Sequence, residues 1–252
     1  MKTIISTLIL TITFLHSTAQ NIPEFIEVTG GTFTMGNKDG AKGSDEVPTH
    51  KITLSDFSIG KTEITVAQYR YYCNETGVEM PKEPNWGWND NSPIINVSWD
   101  EAVNYCDWLS EKLKGKITLP TEAQWEYAAR GGNKSKGYNY SGGNKMKNVG
   151  WFIENSNDKT QPVATKKPNE LGIYDMSGNV WEWCLDWYKK EYYAKSTTID
   201  PLNIISADYK VLRGGSWYND ASYCHVANRS SNEPKYRHGY NLTGFRVVSI
   251  KL

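Results

Sequence analysis

The sequence predicts an α+β fold: an irregular single domain with few helices, small sheets and long loops. Three observations point there. Capping-box spacings recur at Thr65/Gln68, Ser98/Glu101 and Thr121/Gln124, each ahead of a short run with helical periodicity. Strand-like apolar runs occupy the N-terminal part. From Gly132 onward the texture changes to Gly, Asn, Ser, Lys and Trp, with turn pairs such as Gly142-Gly143, Ser177-Gly178 and Gly214-Gly215, and no repeat of roughly 20–50 residues recurs. The 252 residues carry 28 Lys+Arg against 28 Asp+Glu with no long run of one sign, which argues against binding nucleic acid or an anionic membrane by charge.

The elements follow in order. Lys2, an apolar run over 4–15 and the small residues Ser17 and Ala19 read as a signal peptide spanning 1–19, leaving a domain over 20–252. The expected location is therefore secreted or periplasmic, with no membrane span after cleavage. Glu24 to Val28, Gly30-Gly31 and Thr32 to Met35 read as a hairpin across a glycine turn, and residues 51–59 as a further strand-like run. Thr65 opens a helix that Gly77 closes. Ser98 opens a second, with Ala102, Tyr105, Cys106, Leu109 and Leu113 on one face. Thr121 opens a third, carrying Trp125, Ala128 and Ala129, which Gly131-Gly132 stops.

Export permits disulfides, and Cys73, Cys106, Cys184 and Cys224 allow three pairings; no C-x-x-C is present to suggest structural zinc. Asp175 and Glu182 flank a glycine-containing turn, an all-oxygen set suited to calcium; the alternative is a turn whose acids accept backbone hydrogen bonds. Residues 217–241 are rich in Tyr, Asn and Ser, a composition that makes adaptable contact surfaces and equally an ordinary polar loop. Trp217, Tyr218, Asn219, Tyr223, Tyr236 and Tyr240 are the candidate contact residues, with a protein or a glycan as ligand. His50, His225 and His238 form no H-x-x-x-H pair, and there is no G-x-S-x-G.

Pro93 to Trp99, Leu119 to Gly132, Gly172 to Trp183, Arg213-Gly214-Gly215-Ser216-Trp217 and Gly244-Phe245-Arg246 together resemble the sulfatase-modifying factor, or formylglycine-generating enzyme, family. The resemblance implies a C-type-lectin-related fold and calcium-stabilised loops, with side-chain ligands from Asp175 and Glu182 and backbone ligands from Gly178 and Val180. With the resemblance in view, the expected disulfides are Cys73–Cys106 and Cys184–Cys224. The family's enzymes oxidise a sulfatase cysteine to formylglycine using copper held by two cysteines in the loop after Gly-Gly-Ser. Counted forward from Ser216, Asn219 stands where the first cysteine belongs and Cys224 matches the second; counted back from Arg229, Cys224 matches neither. A neutral amide does not replace a thiolate at copper(I). The expectation is a calcium-stabilised binding or accessory module without copper, with Cys224 as the sole candidate catalytic residue of the alternative oxidase. A structural, envelope-assembly component is the third reading.

Overall fold

The structure is a computed structural model that describes residues 21–40, 44–237 and 241–250. The expected signal segment, Tyr240 and His238 lie outside them.

The first four strands show how glycine shapes the architecture. β1 (Phe25–Val28) pairs with β4 (Phe57–Gly60), while β2 (Gly31–Met35) pairs with β3 (His50–Leu54), each antiparallel. The hairpin expected between β1 and β2 is thus corrected: the two are successive segments of one arm, and β3 and β4 are segments of the other. Gly30 is not a turn residue. A Cβ there would lie 2.2 Å from the Leu54 carbonyl oxygen, so glycine lets the two arms press together where they pass from one sheet to the next. Asp56 fixes this crossing by accepting the Gly30 N–H at 2.7 Å.

All three capping boxes form. Thr65 caps α1 (Val66–Thr76), which Gly77 ends at φ +76°; Ser98 caps α2 (Trp99–Leu113); Thr121 caps α3 (Glu122–Ala129). α2 buries Ala102, Tyr105, Cys106 and Leu109 as its spacing predicts, whereas Leu113 is exposed at its end. β5 (Lys116–Thr118) follows α2, and a single turn, α4 (Met146–Val149), interrupts the long loops. The remaining strands are β6 (Trp181–Trp187), β7 (Lys210–Arg213), β8 (Arg229–Asn232), β9 (Thr243–Gly244) and β10 (Val248–Ile250). They complete two four-stranded sheets, ordered β1-β4-β10-β5 and β8-β7-β6-β9, beside the β2-β3 pair.

Buried ion pairs tie these pieces together. α3 turns Glu122 and Glu126 inward, where Arg229 Nε meets Glu122 Oε1 at 2.6 Å and Arg213 Nη2 meets Glu126 Oε2 at 2.5 Å. Arg213 also donates through Nη1 to the carbonyls of Ala227 and Asn228, pinning the return of the 217–241 segment. Among the described residues no helix is long and apolar enough to cross a membrane.

The four cysteines are all free and buried. Neither expected bridge is present. Cys73 and Cys106 pack in one apolar cluster, while Cys184 and Cys224 belong to two different ones.

Candidate functional site

The stretch from Gly172 to Trp183 forms a loop whose conformation is set by close packing. Asp175, Gly178 and Asn179 all take left-handed backbone, with φ of 58°, 85° and 60°. A Cβ on Gly178 would sit 2.1 Å from the Trp151 carbonyl oxygen. Asn179 holds the neighbouring loop, accepting the Gln161 N–H on Oδ1 at 3.0 Å and donating from Nδ2 to the Gln161 carbonyl at 3.2 Å. Its carbonyl accepts the Trp217 N–H, joining this loop to the 217–241 segment. Val180 is fully buried.

The two expected acidic ligands behave differently. Asp175 accepts the Ala164 N–H on Oδ2 at 2.7 Å, while Oδ1 is buried without a partner. Burial pushes its carboxyl up to about 6, against the opposing pull of the Ala164 hydrogen bond and Arg246. Glu182 is committed to protein partners. Arg246 donates from Nε to Oε2 at 2.6 Å and from Nη2 to Oε1 at 2.7 Å, and the Trp125 indole N–H donates to Oε2 at 2.7 Å. This arrangement differs from the expected calcium-ligand role.

A third acid, missed by sequence reasoning, completes the cluster. Glu63, just before α1, is fully buried and neither of its carboxylate oxygens has a partner. Burial first, and then the nearby Asp175 charge, holds its carboxyl well above the ordinary carboxylate range. Glu63, Asp175 and Glu182 therefore face one arginine, Arg246, and three of their oxygens lack a donor. Such a deficit fits a hard cation or bound protons. Among the described residues, no group of three or more His, Cys, Asp and Glu side chains is arranged to hold a metal ion, so a cation here would take much of its coordination from backbone oxygens. Nothing in the spacing between Glu63 and Asp175 signals their meeting; the only sequence clue is an acid preceding the apolar Ile64.

The candidate contact residues of 217–241 are only partly assembled into one surface. Trp217 is buried and donates from Nε1 to the Asn241 carbonyl at 2.9 Å, and Tyr218 stands exposed beside it with ring centroids 5.4 Å apart. Asn219 is half-buried: its Oδ1 accepts the Ser216 hydroxyl at 2.6 Å, and its carbonyl accepts the Ile153 N–H. Tyr223 is exposed. Tyr236 lies elsewhere, on a turn whose Pro234 carbonyl accepts the Trp99 N–H at the start of α2.

Cys224 packs under Gly215, where a Cβ would come 2.6 Å from its sulfur. Burial pushes its thiol up to about 12, and the thiol donates to the Asp220 carbonyl at 3.7 Å. It is therefore a protonated, solvent-excluded group at neutral pH rather than a ready thiolate ligand.

Fold and site together define a loop-rich α+β domain whose motif residues, Glu126, Glu182, Arg213 and Arg246, are structural ion pairs. The sulfatase-modifying factor enzyme 1-like domain matches residues 13–251, and this chain belongs to that family. Relatives carry different names. The chain is 33% identical to the formylglycine-generating enzyme of Streptomyces coelicolor, over 89% of this chain and 88% of that protein. Among solved structures it is similar to Treponema denticola variable protein 1, at TM-score 0.77 and 29% identity, covering 89% of this chain and 94% of the other. PvdO of Pseudomonas aeruginosa is likewise similar, at TM-score 0.80 and 27% identity, covering 91% and 95%.

Proposed function

We propose that this chain is an exported, calcium-stabilised binding or accessory member of the family, acting through the surface around Trp217 and Tyr218 and lacking the copper oxidation chemistry. The observation that carries this reading is the pair of positions 219 and 224. Copper(I) requires soft thiolates. Asn219 offers an amide already engaged by Ser216, and Cys224 is a buried thiol whose pKa of about 12 disfavours the thiolate. For calcium, Asp175 and Glu63 would supply the side-chain oxygens, supported by the orphaned buried oxygens of both, with the carbonyls of Gly178 and Val180 as backbone ligands. Bound calcium would neutralise the acidic excess and hold the loop shape.

The test is anaerobic copper(I) titration against a chelator, followed by aerobic incubation with a Cys-x-Pro-x-Arg peptide. The expected result is no stoichiometric thiolate-bound copper and an unchanged peptide mass. Stoichiometric copper(I) with conversion of the peptide overturns the reading in favour of a formylglycine-generating oxidase. That second reading is favoured by the extent of the similarity to the Streptomyces enzyme.

A further inference from the structure

A cleft beside the 217–241 segment is not part of the site described above. Its near wall is a tight turn in which Gly87, at φ +80°, donates its N–H to the Pro84 carbonyl, and the Trp88 N–H donates to Glu83 Oε1, both at 2.9 Å. The turn lifts two partly exposed indoles, Trp86 and Trp88, one residue apart. With Ser92, Lys159, Thr160 and Gln161 they line a space of about 400 Å³, within the roughly 300–1,000 Å³ in which proteins hold small organic ligands.

The far wall is fixed by the loop network. Gln161 is held by Asn179 through both backbone groups, its Nε2 donates to the Ser156 carbonyl at 2.6 Å, and Ser156 Oγ donates to the Trp217 carbonyl at 2.9 Å. An aromatic path then leads out of the cleft. Trp86 stands edge-on to Trp217, with centroids 5.4 Å apart at 85°, and Trp217 stands edge-on to Tyr218. A wall ordered in advance loses little entropy when a ligand binds.

The lining chemistry selects the ligand. It combines indole surface with hydroxyl and amide groups, carries one cation, Lys159, and has no carboxylate. The C–H face of a pyranose ring meets the negative face of an indole favourably, while its hydroxyls need donors and acceptors around the rim. A peptide binding by strand addition would need an open strand edge, and no wall of this cleft is a strand. We propose that the cleft binds a saccharide, stacking a pyranose ring on Trp86 and bonding its hydroxyls through Ser92, Thr160 and Gln161, with Lys159 placed to meet an acidic substituent. This rests on the reading of the chain as a binding module and adds the class of its ligand.

The experiment is calorimetric titration of the mature, calcium-loaded protein with cellotetraose, tetra-N-acetylchitotetraose and tetragalacturonate, in parallel with indole fluorescence. At least one sugar is expected to bind saturably with a change in emission. Trp86→Ala should weaken that binding at least about tenfold, equivalent to about 1.4 kcal/mol, while Trp86→Phe, which keeps a ring, loses less. Should tetragalacturonate be the ligand, Lys159→Ala also weakens it, and this variant leaves the indoles in place if Trp86→Ala disturbs Trp217. No saturable binding of any of the three sugars, binding indifferent to Trp86→Ala and Trp86→Phe, or competition from the Cys-x-Pro-x-Arg peptide overturns the proposal. If the sugars fail while copper and peptide conversion are also absent, only the saccharide assignment falls. If copper is bound and the peptide is converted, the binding-module reading falls.

Discussion

Arg246→Met removes the guanidinium paired with the buried Glu182, and the structure sets the size of the effect. The guanidinium makes two short bonds to Glu182, at 2.6 and 2.7 Å, and donates to the carbonyls of Gly60 and Tyr174, each at 3.0 Å. Both ionic partners are fully buried. Removing one partner of a buried pair strands the other charge and costs about 3–5 kcal/mol. At about 2–4 °C per kcal/mol for a chain of this size, the melting midpoint should fall by about 6–20 °C. The assay is urea unfolding with a calcium chelator present. Arg246→Met combined with Glu182→Gln should recover part of the loss, because Glu182 is then no longer a stranded charge and the glutamine oxygen can still accept the Trp125 indole N–H. Calcium should raise the single variant's stability more than the wild type's, since Glu63, Asp175 and Glu182 then lack the Arg246 charge. A loss below about 1 kcal/mol, or a single variant no less stable than the double, would refute this account of the ion pair.

Glu63→Gln should change stability with opposite sign in chelator and in calcium. Because the folded carboxyl is held above its ordinary range, the unfolded state releases its proton first; wild-type stability is lost as pH rises from about 4.3 toward the folded value, so the glutamine variant should be the more stable at pH 7 in chelator and gain less from calcium. Equal calcium stabilisation of both proteins would count against Glu63 as a ligand. The four thiols should be silent toward a thiol reagent in the native protein and all titrate after unfolding without reductant, given their burial and the raised values of Cys73, at about 11, and Cys224, at about 12; fewer than four in urea would indicate a bridge. Lys210, buried between Trp99 and Trp187 with its pKa lowered to about 8 by burial, binds fewer protons folded than unfolded between pH 8 and 10.5. Wild-type stability should therefore rise relative to Lys210→Met across that window, and a flat difference would contradict the burial cost.

Local structure was legible in the sequence because its signals are local. Each capping box needs only residues three apart, and all three helices begin where Thr65, Ser98 and Thr121 place them. The β1–β2 connection was misread because a Gly-Gly pair signals either a turn or a close approach, and only the position of the Leu54 carbonyl decides between them. Glu63 was missed because its neighbours, Asp175 and Arg246, are distant in sequence and buried acids carry no periodic signal. The 10 Trp and 16 Tyr do not divide into core and surface by residue type. Tyr69 and Tyr105 pack in the core, with Tyr69 and Tyr105 stacked at 5.7 Å and Tyr105 set edge-on to Phe245, whereas Tyr218 and Tyr223 are exposed.

The motifs that identify the family belong mostly to the scaffold, so membership by itself does not fix the chemistry at position 219. Glu126, Glu182, Arg213 and Arg246 are buried and paired across the chain, so losing any one of them strands a charge and threatens the fold. Position 219 is under no such constraint. Asn219 is half-buried and its side chain is satisfied by Ser216, so the loop keeps its shape with an amide in place of a thiolate. A scaffold that is indifferent to this residue can carry either an oxidase or a binding surface. The decisive experiment on that point is Asn219→Cys: if the second thiolate is the missing element, the variant should keep the wild-type melting midpoint within about 2 °C and acquire copper(I) affinity. If it stays copper-free, burial of Cys224, rather than the absent partner, is what excludes the metal.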